Sequence, residues 1–573
     1  MVDLNNFITT PMQSERDQQL CEITVRDMAQ LASRRSLLNN QCEEIAGLID
    51  PASRGTFLFG SEPVPYSKKT DQQVDSTGMI ALSRFAAICD SLLTPKNMTW
   101  HTLSADNDYV MKDRDTKMWF YNTTRKLFRY RYAATSGFVS ANQQVFKSLG
   151  AYGNGVAWVD SFYDPIGRTK GLRYAQIPFG DIYIERDFQG VPIGFYRILR
   201  LTAQQAYGFP AWRTKLPEII KNALISGSQQ QFTFIHRVCR RDDYDPIRLD
   251  YKGKPYASYY ICRDSKTLMS EGGYNSLPIS ASRYTQAPSE QDGRSVAMEV
   301  LPALKTLNAQ KKVFLKQGHR AADPVLLMAD DGLINMNMTP GANNKGGVTA
   351  DGKPLVHILP TGDIQISEKM MAVEIDVIND AFLVKLFSIA EKTNITATQA
   401  IEIINEKGIL IAPTLGRQES EYLGPNTVRE MDVMADIGAL DPMPPRLREA
   451  RGEYKVVFTS PLAQSVRAGE AAGFFRSVEG VKELVNITGD QSLLDPFQFD
   501  RAIPDIATNI QGTPEPWMAT EQEIAGKRQA RAQAAKTEQA IKAAPAAAAM
   551  IKAQAGLNPA QRDISSPAPA QGL

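Results

Sequence analysis

Histidine and cysteine are scarce in this chain of 573 residues, and neither sign of charge predominates. The four histidines, His101, His236, His319 and His357, stand apart, and neither H-E-x-x-H nor G-x-S-x-G occurs. Dispersed side chains can still converge in space, but no nucleophile, general base or metal-ligand set is named by spacing. An enzyme, a cofactor and a metal are therefore not expected. The five cysteines, Cys21, Cys42, Cys89, Cys239 and Cys262, contain no C-x-x-C pair. That speaks against a disulfide framework or a zinc ribbon and for reduced thiols in a cytoplasmic setting. Lys plus Arg number 64 and Asp plus Glu 63, a formal charge of +1. So even a balance excludes coating nucleic acid by overall charge; any DNA contact must be local. No uncharged apolar run approaches the roughly 18 residues of a membrane span. The opening MVDLNNFITT has neither the basic nor the apolar region of a secretory signal, so a soluble protein made in the cytosol is expected.

What is present is ordinary globular chemistry, 43% hydrophobic and 22% charged, enough for a sizeable core. Leu20, Ile23, Leu31, Leu38, Cys42 and Ile45 recur at helical spacing, which predicts a helix over 14–49. A second is predicted from Thr77 to Leu93, and more helix over 112–148 with a break near Gly137. From Val156 to Leu201 the chain turns aromatic, β-branched and glycine-punctuated, the signature of strands and hairpins. Short helices at 202–207 and 216–224 and strands at 232–239 and 257–262 complete an α+β region over the first 280 residues. Then the organisation changes to helix, small β-rich insert, helix. Residues 295–319 place Val300, Leu304, Leu307 and Phe314 on one side, and 367–391 place Met371, Ile375, Ile378, Phe382 and Ile389 on one face. Between them, 323–366 hold the apolar runs PVLLM and LVHIL around a glycine-rich loop. After a break at 392–395, a helix opened by the capping pair Thr396 and Gln399 is expected to bend at Pro413. The strand-like KVVFTS, a helix over 462–485 and an Ala-rich stretch over 519–557 follow.

The short motifs read as structure. Gly341 and Gly346 have phosphate-loop spacing, but Gly347-Val348 stands where Lys-Ser/Thr is required, so a hairpin loop is expected. Gly150, Gly153 and Gly155 reverse the dinucleotide fingerprint and read as a tight helix-to-strand connection. Arg125, Lys126, Phe128, Arg129, Tyr130, Arg131 and Tyr132 could clamp nucleic acid, but an amphipathic helix with Phe120, Leu127, Ala134 and Phe138 inward is the better reading. Lys305, Lys312 and Lys316 share a helix side, as a solvated face commonly does. They gain meaning if this helix packs beside copies of itself, where Asp376 and Asp380 would complement them.

Longer runs say more. RLTAQQAYG (200–208), SRYTQAPSEQDGRSVAMEVLPALKTLN (282–308), Ala322-Asp323-Pro324, TNITATQAIEIINEKGILIAPTLGRQESEYLGP (393–425) and FTSPLAQSVRAGE (458–470), in this order, resemble the portal (head-to-tail connector) proteins of podoviruses, the short-tailed bacteriophages. The likeness runs from about residue 15 to 535, and the ordered set carries it, since no single motif is catalytic. The resemblance implies an α+β portal fold assembled as a ring: an α/β wing (1–294), a two-helix stem (295–322 and 367–391), a small β-rich clip (323–366), a tunnel loop (392–395), a long bent wing helix with its following strand (396–457) and a helical crown (458–535); the Ala-rich tail (536–573), expected to be partly disordered, lies outside the likeness. It further implies a homo-dodecamer at one capsid vertex of the virion, assembled in the host cytoplasm, with a channel for double-stranded DNA. Its partners would be the terminase large subunit, major capsid and scaffolding proteins, and then a tail adaptor or tail tube protein. Lys392, Thr393, Asn394 and Ile395 would face the DNA without reading its sequence. Lys305, Lys312, Lys316, Asp376 and Asp380 would act between subunits, and Gly341, Asn343, Asn344, Lys345, Gly346 and Gly347 would form the docking loop. A non-ring capsid or scaffolding protein and a nucleotide-driven translocase are the alternatives, the latter weakened by the defective phosphate loop.

Overall fold

The computed structural model describes residues 14–537 apart from 59–68, 71–72, 108, 164–169, 324, 329–336, 338, 340–341, 344–347, 350, 359–363, 386–411, 414, 508–516 and 520–522. The chain divides into a large unit, residues 1–498 with 509–511, and a small one, 499–508 with 512–573.

In the large unit the predicted first helix is two, α1 (Glu15–Arg34) and α2 (Ser36–Ile49). Arg35 makes the break. Its buried guanidinium donates to the carbonyls of Ile182 (2.6 Å) and Phe179 (3.0 Å) and to Asn39 Oδ1 (3.0 Å), and it lies over the rings of Phe179 and Tyr183. Satisfying a buried cation that way outweighs one unbroken run of helix bonds. The next elements follow the sequence pattern closely: α3 (Thr77–Leu93), β1 (His101–Ala105), α4 (Arg114–Arg131) and α5 (Phe138–Tyr152). Asp113 caps α4 by accepting from Thr116 N, and Gly137, at φ +73°, separates α4 from α5.

Nine strands are described through residue 283. β2 (Asn154–Tyr163), β3 (Lys170–Gln176) and β9 (Ile279–Arg283) make a three-stranded sheet in the order β3-β2-β9. β4 (Ile182–Arg186), β5 (Pro192–Thr202), β6 (Gln231–Arg240), β7 (Tyr256–Cys262) and β8 (Thr267–Tyr274) form an antiparallel five-stranded meander. Between β5 and β6 lie α6 (Ala203–Tyr207), opened by a Thr202–Gln205 capping box, and α7 (Glu218–Ile225). The glycine motif is the connection from α5 to β2. Gly153 sits at φ +74°, and a Cβ there would lie 2.5 Å from the backbone of Gly293 and Arg294, so no other residue fits without displacing main chain.

The short pair β10 (Thr285–Gln286) and β11 (Gly293–Arg294) leads into α8 (Val296–Glu299) and α9 (Leu301–Ala322). The predicted 295–319 helix is thus interrupted at Val300, just before Pro302, whose missing N–H is harmless in a first turn. β12 (Leu326–Met328) pairs antiparallel with β13 (Val356–Ile358), so the two apolar runs of the insert do meet. α10 (Ile364–Ala381) begins three residues before the predicted 367 and is interrupted at Phe382 and Leu383; residues 384–385 are helical again, and 386–391 lie outside the described residues. Leu383 takes a left-handed backbone (φ +62°) while Phe382 and Val384 are buried. Seating both side chains in the core pulls the chain out of helical register, at a backbone cost of about 1–2 kcal/mol.

Further on, residues 415–418 are helical, Glu419–Leu423 form a π turn, and α11 runs from Gly424 to Asp436. Pro425 explains the π turn: it has no N–H for an ordinary helical bond, and its ring pushes the preceding turn open. α12 (Pro445–Glu449), β14 (Tyr454–Phe458) and α13 (Pro461–Thr488) complete the unit, with Ser460 capping α13 and Gly489 closing it. β14 pairs with β1, tying the late chain to the early chain. The largest core gathers α2, α3, α5, α8, the first half of α9 and the last half of α10. The small unit holds α14 (Phe499–Asp505) and a helix α15 over 523–537, within the predicted Ala-rich stretch.

Candidate functional site

α9 and α10 form a pair that is rooted at one end and solvent-exposed at the other. Leu301, Leu304 and Leu307 of α9 and Met371, Ile378 and Phe382 of α10 enter the main core, and the Phe382 ring meets Phe85 of α3 edge-on at 6.1 Å. At the other end Ser367 Oγ donates to Gln317 Oε1 (3.1 Å), so the helices run antiparallel. Beyond that contact, residues 318–323 are exposed, as are Val325, Leu327 and Ile358 around the β12–β13 pair. A second apolar line runs along α10. Ile366, Met370, Val373 and Val377, spaced four, three and four, are 58%, 54%, 63% and 47% exposed. This is a seam of coiled-coil spacing with no cover among the described residues. α9 carries Lys305, Lys311, Lys312, Lys316 and Arg320 and no acidic residue, whereas α10 carries Glu368, Glu374, Asp376 and Asp380 against Lys369.

The predicted charges are found partly in use. Lys305 Nζ pairs with Glu44 of α2 at 2.5 Å, and Asp376 with Lys385 at 3.4 Å. Both are surface pairs worth roughly 0–1 kcal/mol, and they serve packing within one chain. Lys312, Lys316 and Asp380 remain exposed. Of the expected docking loop, Asn343 is exposed, while Gly341, Asn344, Lys345, Gly346 and Gly347 lie outside the described residues. Lys392, Thr393, Asn394 and Ile395, and the capping pair Thr396 and Gln399, lie outside them too.

The framework that holds this pair is fastened by a buried ion pair that sequence reasoning missed. Arg131 at the end of α4 and Glu430 on α11 both have fully buried side chains. Arg131 Nε donates to Glu430 Oε1 at 3.1 Å, and its Nη2 to Oε2, giving a bidentate pair. Tyr174 Oη (2.6 Å) and Asn426 Nδ2 (3.0 Å) also donate to Glu430 Oε1. Arg131 Nη1 donates to His101 Nε2 at 2.9 Å, which leaves the imidazole proton on Nδ1. Trp100 and Phe128 stack on the guanidinium at 4.5 and 4.9 Å. Burial alone would lower the Arg131 pKa; Glu430 more than reverses that, so the cation is locked on. The signal was in the spacing. Phe120, Thr124, Leu127 and Arg131 occupy one buried face of α4, and Leu423, Thr427, Glu430 and Met434 another at the same intervals. One cation on one core face and one anion on another can only be partners.

A second carboxylate clamp lies nearby. Glu421 in the π turn accepts from Arg283 N (2.9 Å), Nε (3.2 Å) and Nη2 (2.7 Å), and Gln418 Nε2 donates to the Arg283 carbonyl (2.9 Å). Ser460, the α13 cap, donates to Glu419 Oε1 at 3.3 Å. Three of the runs that carry the resemblance, 282–308, 393–425 and 458–470, therefore meet here. The cation-aromatic helix proves to be core-facing: Phe120, Leu127 and Phe138 are buried and Phe128, Tyr130 and Tyr132 half-buried, though Ala134 is exposed beyond the helix end. His101 and His236 are buried, and His319 and His357 exposed. Among the described residues no three His, Cys, Asp or Glu side chains are grouped to hold a metal, and no helix is long and apolar enough to cross a membrane.

A rigid α+β body bearing a projecting helix pair, with an uncovered apolar seam, is the build of a self-assembling structural subunit. The chain belongs to the bacteriophage head to tail connecting protein family, whose model matches residues 24–554. It is 24% identical over 551 residues to the portal protein of Salmonella phage epsilon15, covering 92% of this chain and 94% of that one. It is 25% identical over 504 residues to the probable portal protein of Bordetella phage BPP-1, covering 85% and 86%. Among solved structures, a chain of the neck of the native GTA particle, computed with C12 symmetry, overlaps 66% of this chain and 83% of its own length at 13% identity and a TM-score of 0.31.

Removing one partner of a buried ion pair leaves a bare buried charge, so Glu430→Ala should cost about 3–5 kcal/mol and lower the melting temperature sharply. The double variant Glu430→Ala/Arg131→Met should recover much of that loss. A single variant that melts like the wild type would show that the pair anchors nothing. The buried histidines set an acid limit. Burial, then Arg131 for His101 and Arg197 for His236, hold both imidazoles well below the usual 6.5. The unfolded chain takes up protons near 6.5 and the folded one does not. Their stabilising contribution is therefore complete above about pH 6.5 and is lost as the pH falls further. Melting temperatures should be level above that point and fall below it; a rise between pH 6.5 and 5 would contradict the buried neutral rings.

Proposed function

We propose that this chain is the portal subunit of a podovirus virion, closing as a homo-dodecamer around a channel for double-stranded DNA at one capsid vertex. The carrying observation is the family match, which spans nearly the whole chain. In this reading residues 1–294 are the wing, 295–322 and 367–391 the stem, 323–366 the clip, 396–457 the long bent helix and its strand, and 458–535 the crown. The terminase large subunit docks at the clip during packaging, and a tail adaptor or tail tube protein takes its place afterwards. Major capsid and scaffolding proteins surround the wing. The role is structural, with no catalytic step assigned to the chain.

The seam on α10 supplies the physical means of closure. Apolar residues at coiled-coil spacing on a cationic–anionic helix pair fit a neighbour's surface better than water. A head-to-tail contact uses two different faces, so it can close into a ring, and α9 and α10 present the opposite charges such a contact needs. The tunnel loop, Lys392 to Ile395, would then bring one lysine per subunit to the channel. Copies around the ring multiply a single charge into a positive collar that holds phosphates weakly and without sequence preference, so that DNA can slide.

Native mass spectrometry of the purified chain should show a closed ring; monomer and dimer alone at every concentration would end the proposal. Val373→Asp alters an exposed residue, so the single chain should keep its stability within about 0.5 kcal/mol while ring formation is lost. Lys392→Glu should leave the melting temperature and the ring intact and reduce the DNA packaged per particle. A lowered melting temperature with normal packaging would instead mark 392–395 as a buried helix-to-helix turn.

A further inference from the structure

The small unit carries charge that the whole-chain balance hides. From Lys527 to the C-terminus the sequence has seven basic residues, Lys527, Arg528, Arg531, Lys536, Lys542, Lys552 and Arg562, against Glu538 and Asp563. The whole chain nets only +1, so the remainder is net acidic. α15 is the described part of this basic end. Every residue from Ala525 to Thr537 is exposed, so among the described residues the helix has no covered face. A fifteen-residue helix without a buried face is marginal in water even when rich in alanine. Its cations are not spent on each other: Arg528 pairs with Asp500, while Lys527, Arg531 and Lys536 are exposed around the axis. Between them stand Ala530, Ala532, Ala534 and Ala535, which leave the long cationic side chains unobstructed.

We propose that α15 is a sequence-independent DNA-binding element, additional to residues 392–395, that lies against the phosphate backbone of double-stranded DNA and is stabilised by it. The inference rests on the portal reading for the identity of the polyanion; the charge segregation and the bare helix are independent of it. Alanine brings the helix axis close, and lysine and arginine reach phosphates without any base-reading side chain beside them. Each phosphate neutralised releases counterion, so binding should weaken steeply with salt. An acidic protein surface is the competing partner.

The test uses the full-length protein and the full-length variant Lys527→Gln/Arg531→Gln/Lys536→Gln, which leaves the Arg528–Asp500 pair alone. Binding to a random-sequence duplex of about 30 base pairs is followed by fluorescence anisotropy from 50 to 200 mM salt, and the ring is checked by native mass spectrometry. The variant should assemble normally, bind DNA at least about tenfold more weakly at 50 mM salt, and show a log–log salt slope shallower by about 2, roughly one unit each for Lys527 and Arg531, which share a helix side. Intact rings with unchanged affinity and slope would overturn the inference, leave the portal reading standing and assign the basic end to an acidic protein. Absence of rings in the wild type would overturn the portal reading, whatever the DNA result.

Discussion

One buried bidentate contact, Arg131 with Glu430, ties the early chain of the large unit to the late chain. Its two residues are 299 positions apart, and between them lie both sheets, the projecting helix pair and the whole insert. An ion pair in a dry core is not a cheap source of stability, because two desolvated charges recover their hydration only when the geometry is right. What it provides is specificity: each charge leaves the other no acceptable alternative. α4, β1, β3 and α11 each send a polar group to this centre through Arg131, His101, Tyr174 and Glu430. A register slip of α11 by one residue would bury a charge against apolar rings. The Arg283–Glu421 clamp repeats the device at a glutamate nine residues upstream of Glu430, and β1–β14 pairing closes the same loop of chain with backbone bonds.

That rigid centre determines what the helix pair can do. α10 enters the core through Met371 and Ile378, and the helix is interrupted just after Ala381, where Phe382 and Val384 turn inward. The pair is therefore fixed at its foot and free of cover at its far end, with two apolar lines on α10 roughly opposite one another. One line is spent inside the chain. The other has no cover among the described residues, and leaving four half-exposed apolar side chains in water forfeits on the order of 1 kcal/mol each. A helix that is apolar on two faces has two neighbours to satisfy.

Much of this was legible in the sequence, and the failures have physical causes. The strands and hairpins from Val156 to Leu201 and the order helix, small β-rich insert, helix followed from periodicity and punctuation; the pairing of PVLLM with LVHIL came from the structure. Periodicity reports a face, however, and not its partner. It counted Ile375 and Phe382 on one face of α10 and passed over Ile366, Met370, Val373 and Val377 on the other. It gave no sign of the interruption at Phe382 and Leu383, because the backbone turn there is imposed by tertiary packing. It joined α1 to α2 because an arginine at position 35 is a good helix former; only the carbonyls of Phe179 and Ile182, far away in sequence, require it to stop. Arg131 was counted among surface cations although its spacing from Leu127 put it inside.

The charge distribution is the last constraint, and it decides orientation. A near-neutral chain has little long-range repulsion between copies, so approach is governed by local patches. If the seams of two α10 helices met face to face, Glu374, Asp376 and Asp380 would confront their own copies, and like charges at a contact cost several kcal/mol. If α10 instead meets the α9 side of the next copy, the acidic rim faces Lys312, Lys316 and Arg320, and the apolar seam is covered from one side only. On the proposed portal reading, attraction in one sense and repulsion in the other would favour the head-to-tail contact over the self-complementary dimer that an apolar seam alone would favour. Each copy then keeps one unsatisfied face until the chain of contacts returns to its start, which is the condition for a ring.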